Sequence, residues 1–98
     1  MATYQELYDL RNNDALRNRI AVAAVVSAEG LLSGTPTADE ASWAYGVVGN
    51  PNGAANTILN LVLASNKSAS VSAITGATDD LLQTSVDAVV SGLIIGSN

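Results

Sequence analysis

The chain has no cysteine, no histidine and no phenylalanine. Without Cys or His it has no disulfide, no thiol nucleophile, no Ser-His-Asp triad, no imidazole base and no ordinary zinc site. Charge is also scarce: 13% of its 98 residues are charged, about half the usual fraction. Nine acids face four bases, a net charge of −5, which is a poor electrostatic match for nucleic acid. Long apolar runs are missing too. The densest, Ile20 to Val26, is far shorter than the roughly 20 residues of a membrane span. The uncharged stretch 41–66 is broken by Gly49-Asn50-Pro51-Asn52-Gly53, and Ser91 and Gly92 interrupt the apolar C-terminus. Met1-Ala-Thr-Tyr-Gln-Glu lacks the basic start and apolar stretch of an export signal, so a soluble protein made in the cytoplasm is expected.

What is present is aliphatic and small. Apolar residues make up 48% of the chain, and its large rings are Trp43 with Tyr4, Tyr8 and Tyr45. A chain of this length buries roughly 60–65% of its unfolded surface, enough for one domain to fold alone. Its core should rest on Ala, Val, Leu and Ile, with helices in close approach, and the apolar content argues against disorder. An Ala-, Ser-, Asn- and Gly-rich exterior is neutral, a surface that partners can cover.

Helix starts recur along the chain. Thr3-Tyr-Gln-Glu6 is a capping box that opens a helix to about Leu10, with Tyr4, Leu7 and Leu10 on one face. Asn12 or Asn13 caps a second helix, with Asp14 in its first turn, running to about Glu29 or Leu32. Leu16, Ile20, Ala23, Ala24 and Ser27 line it at helical spacing, and Val22, Val25 and Val26 widen the stripe. A helix apolar on most sides should be buried on most sides, which makes this the central element. Gly30, Ser33 and Gly34 end it, and Thr35-Pro36 imposes an extended connection.

Thr37-Ala-Asp-Glu40 is a second capping box, for a helix through Trp43, Tyr45 and Val47 to about Val48. Asn50-Pro51 reads as N-cap and N1 proline of a fourth helix, with Ile58, Leu59, Val62 and Leu63 inward, ending near Ser65 to Lys67. Ser68 can cap a short turn of helix from Ser70 to Thr75, with Gly76 as a left-handed stop. Thr78, followed by Asp79 and Asp80, opens the last helix, lined by Leu82, Val86, Val89, Val90 and Leu93. Strands through Ile20–Val26 and Val86–Ile95 are the alternative, but neither run alternates cleanly. The expectation is an all-α bundle of four to six short helices in a single domain, 1–98.

No catalytic, cofactor or metal site is expected. Asp39-Glu40 and Asp79-Asp80 are adjacent, so their carboxylates diverge by about 100° on a helix and suit first-turn capping. No alternating acid run ends in Glu as a calcium loop requires, and Gly46, Gly49 and Gly53 lack the strand and Lys of a phosphate loop. Arg11, Arg17 and Arg19 cluster in nine residues beside Glu6, Asp9 and Asp14. They can pair locally, or Arg17 or Arg19 can reach an acidic patch on a neighbouring subunit. Trp43 with Tyr45 can pack in the core or anchor an interface, and Leu93, Ile94 and Ile95 carry the same two readings.

Met1-Ala-Thr-Tyr-Gln-Glu-Leu-Tyr-Asp-Leu10, Asp14-Ala-Leu-Arg-Asn-Arg-Ile-Ala-Val-Ala23, Asn50-Pro51 and the stretch 64–88 resemble a group of small proteins encoded among tailed-phage virion genes. This chain is poorer in Lys and richer in Gly and Ser at 30–35 and 91–98. The resemblance implies a non-enzymatic structural subunit located in the virion and present in repeated copies, with other virion proteins as partners. A capsid-associated cement or decoration protein on the major capsid protein is favoured. A head–tail connector or adaptor ring at the portal vertex is the alternative, and a small intracellular regulator of a host protein is a reading of another class. Neither nucleic acid nor membrane is an expected partner.

Overall fold

A computed structural model describes residues 3–66 and 68–96, with the side chains of 95 and 96 outside the description. It is all-α, with six helices among the described residues: α1 (Tyr4–Arg11), α2 (Asp14–Ser33), α3 (Ala38–Gly49), α4 (Pro51–Ser65), α5 (Val71–Thr75) and α6 (Asp79–Gly96). The expected bundle of four to six helices is what the chain forms.

The caps follow the expected chemistry. Thr3 and Thr37 each accept the N3 backbone N–H on Oγ1, while Glu6 and Glu40 reach back to the cap N–H at 3.0 and 2.9 Å. Asn13 Oδ1 accepts Leu16 N at 3.0 Å and starts α2. Asn50 joins two helices. Its N–H closes α3 on Gly46 O and Val47 O, its Oδ1 accepts Gly53 N at 3.2 Å, and its carbonyl accepts Ala54 N. Pro51 follows at N1, where an absent N–H costs nothing. The cap folds closely over Gly53: a Cβ there would lie 2.5 Å from Asn50 Nδ2, so a larger residue would make the Asn50 side chain shift.

Around α5 the expectation needs correcting. Ser70, not Ser68, is the N-cap, accepting Ala73 N at 3.1 Å, and the helix starts at Val71. Gly76 is not left-handed: its φ is −89° and ψ 0°, and no described residue has a positive φ. Glycine is favoured there by crowding, because a Cβ would stand 2.7 Å from the Ser72 carbonyl that Gly76 N–H bonds at 2.9 Å. Thr78 caps α6 as expected, accepting Leu81 N at 3.2 Å.

The long helix α2 packs against α3, α4 and α6, and α1 and α5 close one end of the molecule beside each other. Leu16, Ile20, Ala24 and Ala28 descend the buried face of α2 at i, i+4 spacing and meet Ala44 and Val47, Ala55, Ile58, Leu59 and Leu63, and Val86 and Val90. These side chains form one cluster, with alanines where bulk would hold the helices apart. Each fully buried Leu, Ile or Val contributes on the order of 1.5–3 kcal/mol of transfer free energy. One expectation about α2 fails. It is central but not buried on most sides, since Val22 and Val26 are 65% and 51% exposed. It also runs past Gly30 to Ser33, and Gly34 provides its C-cap. The molecule measures 40 × 24 × 21 Å with a Cα radius of gyration of 13.3 Å, close to the roughly 13 Å expected at this length.

Candidate interaction surfaces

The acids serve local structure. Glu40 completes its capping box, Asp79 pairs with an arginine of α2, and Asp80 sits exposed in the first turn of α6. Among the described residues no three His, Cys, Asp or Glu side chains gather as metal ligands, and no polar or charged residue is buried.

Both arginines singled out in α2 are held within the chain. Arg17 Nη1 pairs with Asp14 at 2.9 Å, and its Nη2 donates to Arg11 O. Arg19 reaches across to the α5–α6 connection. It donates to Asp79 Oδ1 from Nε and Nη2, to Ala77 O at 2.6 Å and to Thr75 O at 3.3 Å. That guanidinium satisfies carbonyls at the C-terminal end of α5, where positive charge is favourable.

Trp43 and Tyr45 part company. Two residues apart on a helix, they point about 200° apart. Trp43 is half-buried against the core, whereas Tyr45 is 68% exposed. Leu93 and Ile94 are both half-buried against the core, but α6 turns them to different neighbours: Leu93 faces α4 and Ile94 faces α2. The side chain of Ile95 lies outside the described residues.

Two grooves flank α6. On the α4 side, a groove of about 650 Å³ is lined by Leu61, Ser65, Thr84, Ala88, Gly92 and Leu93, among others, and none of the described residues that line it is charged. On the α2 side, one of about 500 Å³ is lined by Val26, Leu31, Glu40, Gln83, Asp87 and Val90, among others. It meets another of about 410 Å³, where Arg19, Val22, Asp79 and Asp80 join Val26 and Gln83. Among the described residues, one helix thus separates a charge-free side from an acidic one. Between the two halves of the acidic side, the Gln83 amide donates among Ala23 O, Ser27 Oγ and Asp87 Oδ1, and Ser27 Oγ hydrogen-bonds the same carboxylate.

The sequence reading placed Val22 and Val26 in the buried stripe of α2 and did not single out Val48, Leu61 or Leu81, yet all five are exposed. A signal was present for Val22. Glu29 comes seven residues later on α2, which puts the two about 20° apart on the wheel and places Val22 in a solvated sector. Compared with protein families, curated proteins and solved structures, the chain matches none. No described helix is long and apolar enough to cross a membrane.

Proposed function

We propose that this chain is a non-enzymatic structural subunit of a tailed-phage virion, a small cement or decoration protein seated on the major capsid protein. The observation that carries the reading is the charge-free side of the bundle. Residues 41–66 contain no charged residue and supply most of α3 and all of α4. Tyr45 (68%), Val48 (45%) and Leu61 (37%) stand exposed on them, and Leu81 (59%) is exposed on neighbouring α6. Such a surface can be covered with little desolvation cost, and repeated copies in a symmetric shell multiply a modest interface. The resemblance of 1–10, 14–23 and 64–88 to small virion proteins supplies the assembly.

Copy number tests the reading. Quantitative mass spectrometry of purified particles should find the chain at hundreds of copies per virion. About a dozen copies would replace the capsid site with a connector ring at the portal vertex. Absence from the particle would overturn a virion role and leave a regulator bound to a host protein.

A further inference from the structure

The acidic side of the bundle has a different use from the charge-free side. We infer that the groove between α2 and α6 seats a basic amphipathic helix from another protein. Its apolar contact is supplied by Val22 and Val26, one turn apart on α2 and more than half exposed, while Leu31 extends it toward the far end of α2. The two halves of the groove share Val26 and Gln83, so they form one track. From Arg19 to Leu31 that track is about 18 Å long, the length of a helix of some 12 residues. A guest with apolar residues at i, i+3 and i+4 would lay them along the valines.

Charge selects the guest. Among the described residues, Glu40, Asp79, Asp80 and Asp87 line the track against one cation, Arg19, which is already engaged by Asp79 and two backbone carbonyls. Lys or Arg at the margins of the guest finds carboxylates on both halves of the groove, whereas an acidic helix or a phosphate-bearing partner is repelled.

The described helices of a second copy of the chain do not fit as that guest. Its α2 arginines are held by Asp14 and Asp79, α1 offers one arginine beside Glu6 and Asp9, α3 and α4 carry no base, and α6 is acidic. The occupant is therefore a different polypeptide. The inference holds whichever assembly contains the chain, because it rests on the groove and its charges alone.

The probe is a synthetic 14-residue helical peptide of Leu, Lys and Ala, with Leu at i, i+3, i+4 and i+7 and Lys flanking that stripe. Its control carries Glu in place of each Lys. Titrated into the full ¹⁵N-labelled chain at low salt, the Lys peptide should give saturable amide shifts centred on Val22, Val26, Gln83 and Asp87. The Glu peptide should give none. Val26→Lys and, separately, Val22→Lys should each weaken binding about tenfold while leaving the melting temperature near wild type, because both positions are exposed. Asp80→Asn should weaken it several-fold, with the affinity falling as salt rises. Shifts centred on α1 or on the α3–α4 side would overturn the inference. So would equal binding of the Glu peptide, or no saturation below millimolar concentration.

Discussion

At the scale of single residues, the side chains with the clearest physical signature are caps, and Glu6 is one of them. Its Oε1 accepts Thr3 N–H at 3.0 Å, and its own N–H donates to Thr3 Oγ1 at 3.2 Å. These bonds to Thr3 hold the Glu6 carboxyl below its ordinary value of 4.5. The sign follows from linkage. A carboxyl that binds protons more weakly in the folded chain contributes stability fully above its ordinary value and loses it as pH falls through the lowered folded value. Helix α1 depends on such bonds, since eight residues are too few to hold a helix alone and it buries one residue, Leu10. The protection factor of the Leu7 amide, whose N–H bonds Thr3 O, should fall on acidification below about pH 4.5, ahead of those of the α2 amides. In Glu6→Gln that acid step should vanish, because the neutral amide can still accept from Thr3. An identical step in the variant would assign the titration to another acid.

Among the elements, α5 shows how a helix of five residues is held from outside. Its C-terminal end is met by Arg19, sixty residues before the Asp79 it also grips. Arg19→Ala removes the donors to Thr75 O and Ala77 O together with the ion pair, and should cost roughly 1–2 kcal/mol. Asp79 is 92% exposed, so Asp79→Asn should cost well under about 1 kcal/mol. Hydrogen exchange and thermal melting of the two variants check the ordering, with the loss of protection concentrated in 71–78 for Arg19→Ala. Equal effects would mean that the exposed ion pair, not the carbonyl bonds, holds the connection. The same region marks how far the fold is legible in the residues. Caps at Thr3, Asn13, Thr37, Asn50 and Thr78 can be read because a side chain and the N–H it satisfies lie three residues apart. Gly76 misleads, because glycine after a helix usually signals a left-handed residue, whereas here the Ser72 carbonyl takes the space of a Cβ. The Arg19 bonds cannot be read at all, since they depend on how α2 lies against the α5–α6 connection.

For the molecule as a whole, the difficulty is that an apolar residue has the same composition whether it fills a core or waits for a partner. Helix α2 serves three neighbours, α3, α4 and α6, yet they leave one sector open; Glu29 hints at it for Val22, but only the assembled bundle shows that Val26 lies in it too. Trp43 and Tyr45 pose the same question and receive opposite answers. Trp43 is half-buried against the core, so truncating it opens a cavity and should cost about 2–3 kcal/mol, below the 3–5 kcal/mol of a fully buried Trp. In a chain this small, that corresponds to a fall in melting temperature of roughly 10–20 °C. Tyr45 is 68% exposed, so Tyr45→Ala should change monomer stability by less than about 0.5 kcal/mol. If the charge-free side is an assembly surface, Tyr45→Ala should nevertheless reduce incorporation into the particle, because exposed tyrosines contribute much of their energy once covered. Circular dichroism melting of the isolated chain and quantitation of purified particles separate the two effects. An unchanged melt with lost incorporation assigns Tyr45 to the interface. An unchanged melt with full incorporation moves the assembly surface away from α3. A Trp43→Ala variant that melts like wild type would mean that the indole is not supported by the core as its packing implies.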